Sequence, residues 1–356
     1  MTRRTRVLMI DDSAFARTVL SRILRASGMI DVVATARDGR DALEQIDALD
    51  PDVVTLDLTM PELDGLGVLR LLRHRPRPRV LVVSISTVET DLGIEALALG
   101  AIDVITKPTA VASDRLHELG DELVAKVLAV FAGVIAPAVA APRPRPVSAA
   151  ALIQLIMVGT STGGPQALTR LMAGLPERLS APVVMVLHIP LGYTEALAAR
   201  LDKLSPLHVV EAHDGLVLHP GLAVLARAGM HLHVERDGAA LVARLTTLPL
   251  EPFMPSVNEL FTSGAAAVGA DALGVVLTGM GDDGLDGSRA IAAAGGTLLT
   301  EAASSCVVYG MPRCVYEAGL GAYAVALDQM AAEIASRAPP AVGTVSRLHG
   351  GNDDGR

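Results

Sequence analysis

Fifteen residues, Leu152–Gln166 (LIQLIMVGTSTGGPQ), constrain this chain more than any other stretch. An uncharged, branched run passes directly into a glycine-rich turn, and Pro165 then opens what must be a helix, because proline suits a first helical turn. A buried strand, a tight turn and a helix in that order belong to a parallel α/β sheet, whose ligands sit at the carboxyl ends of the strands. The turn, Gly159-Thr160-Ser161-Thr162-Gly163, has the G-x-S-x-G spacing of a nucleophile elbow with Ser161 at its apex. Gly159 and Gly163 leave room for the turn, and Gly164 is expected to let a substrate approach the backbone. A serine hydroxyl is inert without a base, an acid that orients the base, and donors for the developing oxyanion.

With 356 residues the chain has room for two domains, each with its own core. Half of the residues are hydrophobic and 19% are charged, a globular composition. A net charge of −9 without a Lys/Arg stripe argues against nucleic acid as the main partner. Cys306 and Cys314 could form one bridge at most, so no disulfide scaffold is expected, and both read as structural residues. The opening MTRRTRVLMI is basic and then apolar, but Asp11 and Asp12 end the apolar run after four residues. A signal peptide needs roughly 7–15, so this run is expected to be a first core strand. The uncharged stretch Val127–Pro142 is shorter than the roughly 20 residues of a spanning helix and is interrupted by Gly133 and Pro137. A cytoplasmic protein without membrane insertion is expected.

Through the first half, short β-branched runs at Val7–Ile10, Ile30–Ala36, Val53–Leu56, Val80–Ser84 and Asp103–Ile105 alternate with helical patterns such as Phe15–Ala26, Asp41–Leu49 and Ile94–Leu99. Five such units predict a doubly wound parallel sheet. Polar residues fall at its strand ends: Asp11 and Asp12 after the first, Asp57 after the third, Ser84 on the fourth, Lys107 after the fifth. Three carboxylates converging with a lysine suit Mg²⁺ and a phosphoryl group. The alternative, a helix-capping aspartate pair and a surface lysine, explains each residue singly but not their convergence.

Gly133–Ala151 carries four prolines between Pro137 and Pro146 and no period, which predicts an extended spacer. Beyond it, Ala181–Leu187 reads as a buried strand ending in His188, and Ala272–Leu277 as another that leads into Thr278-Gly279-Met280-Gly281-Asp282-Asp283-Gly284. Ser161, His188 and a carboxylate would then share one sheet edge, as nucleophile, base and orienting acid. His231 and His233, two apart in a strand-like run, could be half a metal site, but such a pair is more often solvent-facing. In α/β-hydrolases the acid follows the elbow and histidine comes last. Here only His349 follows Asp283, in a Gly-rich tail, so the order must be Ser, His, Asp. A phosphate-cradling sensor module is the rival reading of GTSTGG, although a P-loop needs lysine where Pro165 stands.

On VLMIDDSAFAR, TLDLTMPELDG, VVSIS and DVITKP the first half resembles response-regulator receivers. That resemblance implies phosphorylation of Asp57 by a histidine kinase, Mg²⁺ held by Asp11, Asp12 and Asp57, and phosphoryl contacts from Ser84 and Lys107. Val104 stands where receivers often carry an aromatic switch residue. On VGTSTGGPQAL, VLHIPLGYTEALAARL, GVVLTGMGDDGLDG and SSCVVYGMPR the second half resembles the methylesterase domain of CheB-type chemotaxis proteins. The implied fold is two mainly parallel doubly wound domains, a flavodoxin-like receiver (1–132) and a Rossmann-like catalytic domain (152–340). A Pro/Ala-rich linker (133–151) would join them, and a disordered tail (341–356) would follow. The implied activity is hydrolysis of glutamate γ-methyl esters, with deamidation of glutamines, on methyl-accepting chemoreceptors. Ser161 would be the nucleophile, His188 the base, Asp283 the orienting acid, and Met280 with Thr162 the oxyanion support; the esterase chemistry needs no cofactor. Where the family usually reads R-P-S-V-D this chain has Met254-Pro255-Ser256-Val257-Asn258, and Leu187 replaces a frequent glutamine. Those departures leave room for a different target in a sensory pathway.

Overall fold

Residues that are branched, apolar and flanked on both sides by amphipathic helices can bury both faces of a strand, as the strands of the first half do except the edge strand Ile30–Ala36, where Asp31 and Thr35 stay exposed. The computed structural model describes residues 3–75, 77–85, 90–107, 113–135 and 153–339. In chain order the first domain runs β1 (Thr5–Ile10), α1 (Ala14–Ala26), β2 (Ile30–Ala36), α2 (Gly39–Leu49), β3 (Val53–Leu56), α3 (Gly65–Leu72), β4 (Arg79–Ile85), α4 (Thr90–Leu99), β5 (Asp103–Lys107) and α5 (Ser113–Ile135). Its sheet has the order β2-β1-β3-β4-β5 with every pair parallel. Strand alternation divides the core. Val7 and Met9 face α1 and α5, whereas Leu8 and Ile10 face α2, α3 and α4. The α5 helix continues through Gly133 to Ile135, three residues into the stretch expected to be a spacer. Pro137 is the first proline, and a helix is expected to end before one. The rest of the spacer, the segment after Lys107 and the tail lie outside the described residues.

The second domain runs β6 (Leu155–Thr160), α6 (Gly164–Gly174), β7 (Val183–Leu187), α7 (Thr194–Leu204), β8 (His208–Glu211), β9 (Val217–Leu218), β10 (Leu222–Leu225), β11 (His231–Asp237) and β12 (Ala240–Thr246). It continues with α8 (Val257–Val268), β13 (Ala272–Val276), α9 (Leu285–Ala293), β14 (Thr297–Glu301), α10 (Met311–Glu317), β15 (Tyr323–Val325) and α11 (Leu327–Arg337). Seven parallel strands in the order β15-β14-β13-β6-β7-β10-β8 form the main sheet. A separate antiparallel sheet, β11-β12-β9, was not foreseen from the sequence. Helices α6, α7 and α11 cover one face of the main sheet, while α8, α9 and α10 cover the other. The strands that carry Ser161 and His188 are neighbours, with Thr160 opposite Leu187, and β13 lies on the other side of β6.

The two domains share a tight seam. The apolar core on the α2–α4 side of the first domain continues into the second without a break. Gly93 on α4 meets Tyr193 so closely that a Cβ there would lie 2.5 Å from the ring's Cε1. Gln166 Nε2 donates to the Ala101 carbonyl at 2.8 Å, and Val308 is buried among residues of β4, β5 and α5. Among the described residues, no helix is long and apolar enough to cross a membrane.

Candidate active site

The acidic cluster of the first domain forms as the strand ends dictate. Asp11 and Asp57 are buried, Asp12 is exposed, and one carboxylate oxygen from each lies within 4.8 Å of the others. Lys107 Nζ stands 2.6 Å from Asp11 Oδ2 and 2.6 Å from Asp57 Oδ2. Burial pushes the Asp57 carboxyl above its ordinary range, and Lys107 only partly offsets this. Ser84 is buried on β4, in register with Thr106 next to the lysine. Val104 lies wholly in the core of β5. A set of three hard carboxylates beside a cation fits a Mg²⁺ ion and a phosphoryl group.

In the second domain the elbow turns at Gly163, whereas Gly159, expected to make room for the turn, lies within β6, where a Cβ would meet Val257 Cγ1 at 2.3 Å, so it makes room for α8 instead. Gly163 has φ +81° and opens α6, with Pro165 in the first turn. Gly164, however, is a packing residue: a Cβ there would lie 2.5 Å from Leu187 Cδ1 and 2.8 Å from Thr160. Its hydrogen lets α6 close against the strands, so the expected substrate approach over this residue is corrected. The loop after β13 pins the elbow from the other side. Ser161 N–H and the Thr160 hydroxyl both donate to the Thr278 carbonyl, at 3.1 and 2.7 Å. Thr278 N–H in turn donates to Glu301, 2.8 Å away, a fully buried side chain whose carboxyl is raised by burial.

His188 and Asp283 meet although 95 residues separate them: Nε2 stands 2.8 Å from Oδ2. Three further donors converge on that carboxylate, Ser256 Oγ at 2.9 Å, Val257 N–H at 2.7 Å and Asn258 N–H at 2.9 Å. It thus sits at the N-terminus of α8, where partial positive charge favours an anion. Burial acts most strongly on Asp283 and would raise its pKa. The hydrogen bond and charge of His188, with the Val257 and Asn258 amides, outweigh it and hold the carboxyl below the usual range. Because an ionised Asp283 can only accept, Nε2 carries the imidazole proton and Nδ1 holds the lone pair. Nδ1 is buried and has no hydrogen-bond partner among the described residues. Compared with serine proteases the ring is used the other way round.

Ser161, Thr162, His188 and Met280 line one cavity of about 430 Å³. The Thr162 hydroxyl is buried and unpaired among the described residues. The opposite wall belongs to the first domain, in Thr106, Glu122 and Lys126. Phe253 closes a side of the cavity and stacks on His188, with ring centroids 4.2 Å apart and planes 5° from parallel. Several of these contacts escaped sequence reasoning. His231 is fully buried rather than solvent-facing, and His233 pairs with Glu259 at 2.8 Å, so the two do not form half a metal site. Asn258 spends its amide oxygen on Gly284 and Gly287 N–H, both at 2.9 Å, and so braces the loop that carries Asp283. The signal for that corner was present: Ser256-x-x-Glu259 ahead of an apolar run is a capping-box pattern, and Ser256 does cap α8. Cys306 and Cys314 are unbridged, and burial pushes the Cys306 thiol far up, which suits a structural role.

Residues 156–334 match the CheB methylesterase family, and residues 7–119 match the response regulator receiver domain. The chain belongs to the CheB methylesterase family. It is 55% identical, over 92% of its length and 96% of the relative's, to protein-glutamate methylesterase/protein-glutamine glutaminase 5 of Myxococcus xanthus. A protein-glutamate methylesterase/protein-glutamine glutaminase from Geobacillus kaustophilus is 44% identical over 92% of this chain and 97% of its own length. The crystal structure of the Thermotoga maritima CheB methylesterase catalytic domain superposes with a TM-score of 0.50 at 33% identity, covering 51% of this chain and 97% of that one.

Proposed function

We propose that this protein is a phosphorylation-regulated esterase that hydrolyses glutamate γ-methyl esters, and deamidates glutamines, on chemoreceptors in the cytoplasm. Ser161 Oγ attacks the ester carbonyl while His188 Nδ1 accepts its proton, and Asp283 holds the ring by the Nε2–H. The Met280 N–H and Thr162 stabilise the tetrahedral oxyanion; losing one such donor typically costs about 3–4 kcal/mol. The imidazolium then protonates the departing methoxide, methanol leaves, and water repeats the sequence on the acyl-enzyme to release glutamate. An amide follows the same path with ammonia as the leaving group, so one set of residues serves both reactions. What carries this reading is the single cavity in which an elbow serine and an Asp-held imidazole with a free Nδ1 line the same walls.

Regulation enters through the opposite wall. Asp57 accepts the phosphoryl group from a histidine kinase, Asp11, Asp12 and Asp57 would hold Mg²⁺, and Ser84 and Lys107 would contact the phosphoryl oxygens. Mg²⁺, when bound there, would supply positive charge that offsets the negative charge of the phosphoryl oxygens. The unphosphorylated first domain covers the Ser161 cavity, as the seam and the shared wall support. The expected limit at 132 moves to the end of α5 at Ile135, and the catalytic domain begins near 152, four residues before the match to the methylesterase family.

Methanol release from methylated receptors tests the chemistry. Ser161→Ala is expected to lose several orders of magnitude relative to wild type. The same assay with and without a small phosphodonor tests the gating, and equal rates would remove it.

A further inference from the structure

Beneath the proposed active site lies a second histidine that the reaction does not use. His231 begins β11 with 0% exposure, and both ring nitrogens are engaged. Nδ1 accepts the Ser256 N–H at 3.1 Å, so Nε2 must carry the proton, and it donates to the Pro249 carbonyl at 2.9 Å. A neutral imidazole in one tautomer therefore ties down both ends of the strap 249–256. The strap is also held by the Phe253 stack on His188, by the burial of Pro255 and by the Ser256 Oγ–Asp283 bond. Leu250 is 81% exposed, and a further anchor is the Met254 carbonyl, which accepts from Gly229 N–H at 2.9 Å.

What the strap carries explains why its placement matters. Phe253 at its crest lies flat on the His188 ring. Ser256 at its end donates through Oγ to Asp283 and caps α8, whose first two amides donate to the same carboxylate. The capping-box partner Glu259 is occupied by His233, so Ser256 N–H has only the His231 lone pair in place of the usual reciprocal bond. One buried side chain thus fixes a stacking surface for the base and three donors for the acid.

We propose that His231 is a positioning residue for the His188–Asp283 pair, acting through the strap 249–256. It touches neither substrate nor reacting atoms. Its removal would leave the Ser256 N–H and the Pro249 carbonyl without partners and loosen the strap at both ends. The inference rests on the esterase reading above. If Ser161→Ala hydrolyses receptor esters as fast as wild type, that reading fails; if only the variants below behave as wild type, this inference alone fails.

The test uses the full-length protein, phosphorylated, with methylated receptor as substrate. His231→Ala is expected to lower kcat by about 100-fold with little change in KM, the scale of a small misplacement at a reacting centre. His231→Gln, which keeps one donor and one acceptor, is expected to recover at least a tenth of the wild-type kcat. The downfield proton resonance of the His188 Nε2–H bound to Asp283 should broaden or vanish in the alanine variant and return with glutamine. Should His231→Ala fail to fold, Phe253→Leu, at a side chain 37% exposed, keeps the test open, with about a tenfold loss of kcat expected. Unchanged kcat in a folded His231→Ala, an unchanged proton resonance, or full activity of Phe253→Leu would each overturn the proposal.

Discussion

Asp57 and Asp283 are both buried aspartates at the carboxyl edge of a parallel sheet, each beside a basic side chain, and their environments push them in opposite directions. Asp57 shares a single ammonium with Asp11, so desolvation dominates and its carboxylate is destabilised. Asp283 collects four donors, two of them helix-terminal amides, and its carboxylate is stabilised. The contrast matches the work proposed for each. A carboxylate that must attack phosphorus gains from being poorly solvated and reactive, whereas one that only orients an imidazole gains from staying ionised and still.

The sharpest way to break this comparison is to neutralise the well-held partner. Asp283→Asn, nearly isosteric, would turn the base toward the wrong tautomer, and kcat for ester hydrolysis should fall by about 10⁴. Next in size is Lys107→Met, which leaves Asp11 and Asp57 as a buried like-charged pair. Denaturant unfolding should show a loss of about 3–5 kcal/mol, the cost of breaking a buried ion pair from one side. Asp57→Asn should do the reverse: a carboxyl raised in the folded state costs stability once pH exceeds its folded pKa, so at pH 7 the Tm is expected to rise by roughly 2–4 °C. The same variant should take up no phosphoryl group.

Acid titration sharpens the pair further, with a smaller effect. A carboxyl lowered in the folded state adds stability above its unfolded pKa of about 3.9, and that contribution is lost as pH falls through the lower folded value. Wild type and Asp283→Asn should therefore differ by a constant amount above about pH 4 and converge as pH falls from there through the folded value. Asn258→Asp gives the mildest probe. It keeps an acceptor for Gly284 and Gly287 but sets a like charge beside Asp283, so the acid limb of activity should move to higher pH.

Much of this was written locally. Val53–Leu56 has the observed strand bounds because a doubly buried parallel strand reads as an unbroken run, while Ile30–Ala36, an edge strand with Asp31 and Thr35 exposed, was legible from its β-branched residues. Ser161, His188 and Asp283 were legible because each follows such a run. The corner that holds the last two was not. His231, Ser256 and Asp283 are joined by bonds that span 25 and 27 residues, and no period or spacing reports a contact of that kind. His231 and His233 read as strand-like, but the antiparallel sheet they belong to was missed, since its third strand, β9, is two residues long and too short to alternate. Gly164 was misread for a related reason: its sequence neighbours suggest a ligand cradle, while its spatial neighbour Leu187 is a strand away.

Gly93 has a mechanical consequence. At that point α4 and α7 are kept apart by a hydrogen atom, and the Tyr193 ring behind it is 2% exposed with nowhere to retreat. Densely packed matter of this sort yields little under load. The joint is therefore a hard stop, not a spring: the halves can part, but they cannot press closer, and a wedge one methyl thick would hold the door ajar.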